Sequence, residues 1–143
     1  MKILVLKTST DATIRKLFDE LDRMENKEID CLIQSSQISM YKKSYPDINF
    51  IDIRRERFEN LPLDVLDMIS RKKYNELYIT LSGIHGYNFW NVMELVNGLR
   101  FRKGFFYDCN GKRLQIPRKN TIRDTLCRLY IKLLGSMYQE GKN

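Results

Sequence analysis

Long hydrophobic runs are absent from this sequence. Its apolar stretches, such as ILVL and LYITL, are a few residues long, whereas a helix that spans a bilayer needs roughly 20 apolar residues. The opening MKILVLK returns to a charged residue too early for a secretory signal. We therefore expect a cytoplasmic protein without a membrane-spanning segment.

Cysteine and histidine are also scarce, with three cysteines and one histidine. Cys31, Cys109 and Cys127 are odd in number and widely spaced, which fits neither a disulfide framework nor a CxxC metal site. Cys31 lies in an apolar run, so we predict a small core residue there. Neither GxGxxG nor GxxxxGK[ST] occurs, and these are the Gly-rich patterns that bind phosphates. We expect no metal and no cofactor.

What the sequence does contain is a regular alternation of strand and helix patterns over 143 residues, about the size of one domain. Strands are predicted at 2–7, 29–34, 48–53, 76–82 and 100–108, and the Asn110-Gly111 turn predicts a short antiparallel strand at 113–117. Helices are predicted after Asp11, after Pro62, near 90–99 and at 121–138. The helix after Pro62 has the predicted apolar face Leu63, Leu66 and Ile69. The polar connector at 35–46 has room for one or two helical turns. This order predicts one α/β domain, residues 1–143, with a mostly parallel sheet of about five strands and a C-terminal helix.

In open α/β sheets, ligands bind outside the carboxyl ends of the strands. The first candidate loop there is Thr8-Ser9-Thr10-Asp11, after the first strand. Its hydroxyl groups and the following helix N-terminus are suited to an anion. Asp11 is a candidate general base on a sugar or alcohol hydroxyl. The alternative is that Thr10 or Asp11 only caps the helix.

The second candidate loop follows the fourth strand, and we expect it at the same edge of the sheet. Its candidate ligand-binding residues are Ser82, Gly83, Gly86, Tyr87 and Asn88. The glycines permit close approach of the backbone to a ligand. His85 is a candidate catalytic residue as a proton carrier, or a ligand contact, although no nucleophile partner is evident. Trp90 is expected to pack against the sheet.

Basic residues are concentrated in the last third of the chain. Residues 1–99 hold 14 basic and 15 acidic side chains, whereas residues 100–132 hold 10 basic and 2 acidic. The candidate basic surface is Arg100, Arg102, Lys103, Arg118, Lys119, Arg123 and Arg128. It suggests an anionic partner or only a solvated face. The helix at 121–138 is amphipathic, so it either packs on the sheet or lies on an anionic membrane. Nucleic acid is not favoured, because no recognised motif is present.

The order of these segments resembles a known family. KILVLKTSTD, an amphipathic helix, IDCLIQ, YPDINFIDI and KKYNELYITLSG are similar to the N-terminal half of heptosyltransferase-like glycosyltransferases of the ADP-heptose:lipopolysaccharide type. GYNFWNVMELVNGLRFRKGFFYDCNGK looks like the matching segment of related surface-polysaccharide proteins. The resemblance covers about residues 1–117 and implies a three-layer Rossmann-like domain. It also implies an acceptor site at the loop after the first strand. Asp11 there matches a proposed general base, and Thr10 replaces the family's glycine.

The resemblance implies a stand-alone, glycosyltransferase-like acceptor-half domain, accessory to bacterial cell-surface polysaccharide biosynthesis. The family's donor-binding domain has no counterpart in these 143 residues. The expected partners are therefore a sugar phosphate or lipid-linked sugar, and a second chain that carries a donor-binding domain. The alternative is a non-catalytic interaction module that docks through its basic last third on an acidic protein or an anionic membrane surface. We expect either to be cytoplasmic, with peripheral contact at the inner face of the membrane in the latter case.

Overall fold

The computed structural model describes most of the first 116 residues. The described residues are 1–56, 58, 60–81, 92, 95, 96 and 98–116. The predicted loop at 82–88 and the predicted C-terminal helix at 121–138 lie outside them. Of the predicted helix near 90–99, Val92, Leu95 and Val96 are described and are helical.

Six strands form one sheet. They are β1 (Lys2–Leu6), β2 (Glu28–Ile33), β3 (Asn49–Asp52), β4 (Lys73–Thr80), β5 (Arg100–Tyr107) and β6 (Arg113–Ile116). The order across the sheet is β3-β2-β1-β4-β5-β6. Strands β1 to β5 pair in parallel, and β6 pairs antiparallel with β5. The predicted α/β class, the mostly parallel sheet and the antiparallel edge strand are thus confirmed.

The order of the strands changes direction between β1 and β4. From β1 the chain moves outward to β2 and β3, and it then returns to the other side of β1 to form β4 and β5. This is the strand order of Rossmann-like, doubly wound folds, with which the structure is consistent. The point of reversal places the carboxyl ends of β1 and β4 side by side, where the sequence predicts a ligand site.

Three helices connect these strands in the described part of the chain. They are α1 (Asp11–Asp22), α2 (Ile38–Ser44) after a 3-10 turn (Ser35–Gln37), and α3 (Leu63–Arg71). Helix α1 confirms the helix predicted after Asp11. It buries Ile14, Leu17, Phe18 and Leu21, apolar residues that recur in the sequence at helical spacing. Helix α2 occupies the predicted polar connector. It buries Tyr41 alone, so it has too few apolar residues to show a helical period.

The predicted apolar face of α3 is wrong at one residue. Val65 and Ile69, one helical turn apart, are buried, and Leu66 is partly buried against the core. Leu63 is 84% exposed. At about 100° per residue, Leu63 lies about 160° around the helix from Val65, on the side away from the sheet. The three-residue spacing to Leu66 suggested a shared face, but burial is centred on Val65 and Ile69.

Each face of the sheet has its own hydrophobic cluster, because alternate strand residues point to opposite faces. Ile3, Val5 and Cys31 pack with α1 and Tyr41 on one face. Leu4, Leu6 and Leu32 pack on the other with α3 and with Val92 and Val96. Cys31 is fully buried, which confirms it as a small core residue.

The packing of α1 on the sheet is tested by two adjacent substitutions. Leu17 is fully buried and Lys16 is exposed. We expect Leu17→Ala to lower the free energy of unfolding by about 2–5 kcal/mol, because it leaves a cavity. Lys16→Ala is the control and should change it by about 0.5 kcal/mol at most. Urea denaturation followed by circular dichroism measures both, and equal losses would contradict the assignment of the buried face.

Candidate functional site

The loop after β1 is fixed to the end of β4 by two threonines. The Thr8 hydroxyl donates a hydrogen bond to the Thr80 carbonyl oxygen. The Thr80 hydroxyl donates to the Leu6 carbonyl oxygen at 3.1 Å, and the Thr8 amide lies 3.3 Å from the Thr80 hydroxyl oxygen. Thr8 therefore links the ends of β1 and β4 at the point where the strand order reverses. From there the loop continues to α1.

Ser9 and Thr10 continue this loop into the helix. Ser9 is buried, and its hydroxyl lies 3.3 Å from the Thr10 carbonyl oxygen. Thr10 occupies the N-cap position of α1 but makes no side-chain cap hydrogen bond. Its hydroxyl oxygen lies 3.4 Å from that of Thr13. The first turn of α1 thus keeps backbone N–H groups that no side chain of the loop caps.

Asp11 is the first residue of α1, and its carboxylate is 55% exposed at this edge. The Tyr41 hydroxyl donates to Asp11 Oδ1 at 2.5 Å. Arg15 Nε donates to Oδ1 at 2.9 Å and to Oδ2 at 3.0 Å. The Tyr41 hydrogen bond, together with Arg15, holds the pKa of Asp11 below its usual value. An anchored carboxylate with a low pKa is better suited to accept a hydrogen bond from a ligand hydroxyl than to remove a proton. The role of Asp11 as a general base stays a prediction.

Lys7 is a site residue that the sequence analysis missed. It directly follows β1, and it is only 5% exposed. Its ammonium group donates a hydrogen bond to the Ser9 carbonyl oxygen at 3.0 Å. Burial lowers the pKa of Lys7 from its usual value. In the part of the chain that the structure describes, Lys7 makes no ion pair with a carboxylate. Such burial is unusual, because buried lysines are normally paired.

The ring of Tyr41 connects Lys7 to the Asp11 carboxylate. Lys7 Nζ lies 5.8 Å from the ring centroid and Arg15 Cζ lies 5.1 Å from it. Two cations and one carboxylate therefore surround this ring, which leaves an excess of one positive charge at the N-terminus of α1. The helix dipole adds to the positive potential. This corner of the sheet edge is electrostatically suited to an anion.

A buried acceptor lies at the carboxyl end of β2, the neighbour of β1. Gln34 follows β2, and its amide oxygen Oε1 is buried without a hydrogen-bond partner among the described residues. Its Nε2 lies 3.4 Å from the Glu56 carbonyl oxygen. A buried acceptor without a donor costs about 1–3 kcal/mol. Gln34 is therefore a candidate acceptor for a hydroxyl group of a ligand, and no motif or spacing in the sequence indicates it.

The structure separates the predicted basic surface from this edge. Arg100, Arg102 and Lys103 are exposed, and they lie at the start of β5. Because β5 runs parallel to β4, and β4 to β1, the start of β5 is at the opposite end of the sheet from the loop at residues 8–11. The other predicted site residues lie outside the described part of the chain: Ser82, Gly83, His85, Gly86, Tyr87, Asn88, Arg118, Lys119, Arg123 and Arg128.

Among the described residues, no group of three or more histidine, cysteine, aspartate or glutamate side chains is arranged to hold a metal ion. No helix within the described ranges has both the length and the apolar character needed to cross a membrane. Comparison of the chain with protein-family models, with curated proteins and with solved structures finds no match in any of the three.

The hydrogen bond from Tyr41 leads to a testable prediction about the pKa of Asp11. We expect Tyr41→Phe to raise the pKa of Asp11 toward its ordinary value of 3.8, because the hydrogen bond favours the ionised carboxylate. NMR titration of the Asp11 carboxyl carbon measures this. Because the pKa of Asp11 is lowered by folding, its ionised form contributes stability above the ordinary pKa, and this contribution is lost as the pH falls through the lowered value.

Tyr45→Phe is the matched control. The Tyr45 hydroxyl donates to Asp19 at 3.2 Å rather than to Asp11, so the substitution removes a neighbouring phenol hydroxyl without touching the Asp11 hydrogen bond. An Asp11 pKa that rises equally in both variants would argue against the role given to Tyr41.

Proposed function

We propose that the chain is a glycosyltransferase-like acceptor-half domain that binds a sugar phosphate at the carboxyl edge between β1 and β4. The observation that carries the proposal is the buried ammonium group of Lys7, which lacks a carboxylate partner among the described residues. The proposal includes the three-layer form of the domain, in which the predicted C-terminal helix completes the layers. It also includes a role accessory to cell-surface polysaccharide assembly, with the donor-binding domain on a partner chain.

The chemistry of Lys7 favours a phosphate over a neutral ligand. Removal of an ammonium group from water is costly unless an opposite charge compensates for it. Among the described residues, a carbonyl hydrogen bond, a ring contact and the Asp11 carboxylate act in favour of the charged form, but desolvation outweighs the electrostatic contributions and lowers the pKa of Lys7. A phosphate group supplies the missing negative charge and several strong acceptors. The free N–H groups at the start of α1 are suited to hold the same group.

The sugar part of the ligand would use acceptors at the carboxyl edge of the sheet. Asp11 presents an ionised carboxylate at the edge of the sheet, oriented by Tyr41 and Arg15. Gln34 provides a buried oxygen that lacks a donor. Sugar hydroxyl groups are donors that match both. A ligand with an anionic group and several hydroxyl groups therefore fits this edge better than an inorganic anion or a neutral sugar.

The proposal predicts that Lys7→Met weakens the binding of a sugar phosphate. With glucose 1-phosphate as the probe, we expect the Kd to rise about 10- to 100-fold, which corresponds to the loss of one charged hydrogen bond. The measurement is the change in backbone amide NMR shifts of residues 7–11 on titration. Lys43→Met is the control, because Lys43 is an exposed lysine on α2.

The free protein provides a second measurement. Methionine is close to lysine in length and carries no charge, so we expect Lys7→Met to leave the free energy of unfolding unchanged or to raise it. Equal binding of glucose and glucose 1-phosphate by the unsubstituted protein would contradict the proposal. So would an unchanged Kd for glucose 1-phosphate in a folded Lys7→Met protein.

The second candidate function is docking on an anionic membrane surface. It is favoured by the exposed basic residues at the amino end of β5, Arg100, Arg102 and Lys103. Arg100 also lies opposite Lys73 across the β4–β5 pair, and Lys73 is exposed as well. Like charges in register on neighbouring strands repel each other. An anionic surface would relieve this repulsion, and each basic residue near such a surface contributes about 1 kcal/mol.

Co-sedimentation with vesicles tests the second candidate. We expect binding to phosphatidylserine-containing vesicles to fall strongly in the double variant Arg102→Glu with Lys103→Glu. The control, Lys42→Glu with Lys43→Glu, makes the same change of charge on exposed residues of α2. Equal binding to neutral phosphatidylcholine vesicles, or equal loss in the two variants, would exclude a specific basic surface.

A further inference from the structure

The ammonium group of Lys7 is covered although it lies at the edge of the sheet. Lys7 is only 5% exposed. Among the described residues, the ring of Tyr41 lies beside its Nζ, with the ring centroid 5.8 Å away. An anion accepts a hydrogen bond from an ammonium group only at a distance of about 3 Å. A ligand therefore reaches Lys7 only if a group that covers it moves.

The segment that contains Tyr41 is attached to the domain through few apolar contacts. The 3-10 turn Ser35–Gln37 buries no side chain, and α2 buries only Tyr41. Ile38 and Tyr45 are partly buried against the same cluster. Neither the 3-10 turn nor α2 has a side-chain cap hydrogen bond at its start. Because isolated helices shorter than about 12 residues are marginal in water, the position of residues 35–44 depends mainly on Tyr41.

A hydrogen bond to α1 holds Tyr41 in this position. Its hydroxyl donates to Asp11 Oδ1 at 2.5 Å. The polar contacts of Ser44 and Tyr45 with α1 are longer, at 3.3 Å and 3.2 Å. Asp11 is the first residue of α1, so the acceptor of the short bond lies at the edge where the ligand is proposed to bind. Movement of Tyr41 and access to this edge therefore involve the same bond.

We propose that residues 35–44, called here the α2 segment, form a gate that opens to admit an anionic ligand to Lys7 and closes over it. The inference rests on the proposed function, since it concerns access to the same site. In the closed form, Tyr41 lies beside Lys7 and is held by Asp11. In the open form, the α2 segment moves away from α1 while β2 and β3 stay paired. Segments with few buried contacts open at a lower free-energy cost than the whole domain, and closure excludes water from the ligand.

Two measurements on the full chain without ligand test the gate. The first is the rate at which N-hydroxysuccinimidyl acetate, a neutral reagent, acetylates Lys7, followed by peptide mass spectrometry with the exposed Lys43 as the reference. The second is hydrogen exchange of the α2 amides. In the unsubstituted protein, we expect Lys7 to react more slowly than Lys43, and the α2 amides to exchange faster than those of α1. Tyr41→Phe should raise the acetylation rate of Lys7 and the α2 exchange rates by the same factor, about tenfold, because it removes a hydrogen bond to a charged group from the closed form alone.

Tyr74→Phe is the matched control. The Tyr74 hydroxyl donates to the Asp30 carboxylate at 2.7 Å, and Tyr74 packs on the sheet face opposite Tyr41. The substitution removes the same kind of hydrogen bond without touching the α2 segment. We therefore expect it to leave the acetylation of Lys7 and the exchange of the α2 amides unchanged.

Each outcome decides the proposal. Equal factors in Tyr41→Phe, with unchanged exchange in α1, support the gate. Acetylation of Lys7 as fast as that of Lys43 in the unsubstituted protein would overturn it, because Lys7 would not be covered. An unchanged acetylation rate in Tyr41→Phe would also overturn it, because another part of the chain would then cover Lys7. So would faster α2 exchange without faster acetylation, or an equal effect of Tyr74→Phe. Neither measurement uses a sugar phosphate, so the separate titration with glucose 1-phosphate distinguishes failure of the gate from failure of the proposed function.

Discussion

The parallel pairing of β1 with β4 is the constraint on which the rest of the structure depends. The two strands are 73 residues apart in register, with Leu4 opposite Leu77 and Leu6 opposite Ile79. Their pairing brings the second half of the chain back beside the first and buries β1 on both faces. It also brings the carboxyl ends of the two strands side by side, while α1, which follows β1, and Val92 and Val96, which follow β4, lie on opposite faces of the sheet. The Thr8 and Thr80 hydroxyls fix the two strand ends at this edge.

Lys7 is buried as a direct consequence of this pairing. The residue after Leu6 continues the alternation of β1 toward Tyr41, so its side chain enters the face that α1 and α2 cover. A nonpolar residue there would extend the core without a desolvation cost. The fold instead places an ammonium group beside Tyr41, whose hydroxyl donates its hydrogen bond to Asp11. A locally unfavourable charge at the switch point of the sheet is the kind of feature that function, rather than stability, explains.

The sequence predicts the parts of the fold that repeat a simple period. The apolar spacing of Ile14, Leu17 and Leu21 identifies α1, and the Asn110-Gly111 turn identifies β6. It allows one or two helical turns at 35–46 but does not give the bounds of α2, since one buried residue makes no pattern. It misplaces Leu63, since the buried face of α3 is centred on Val65 and Ile69. For the site, it predicts the loop from Thr8 to Asp11 at the strand edge. It does not predict Lys7 or Gln34, because a charged residue after a strand looks solvent-exposed until tertiary contacts cover it.

The two ends of the sheet have different electrostatic properties. The start of β5 and the loop after β1 are separated by about the length of an eight-residue strand, roughly 26 Å. This distance is about three Debye lengths at physiological ionic strength. The exposed basic residues of β5 therefore contribute little to the potential at Lys7. Within the described part of the chain, the attraction of an anion there depends on Lys7, Arg15 and the α1 dipole. Added salt would screen the exposed end strongly and the buried ammonium weakly. A ligand site at one edge and a docking surface at the other are thus physically compatible in one domain.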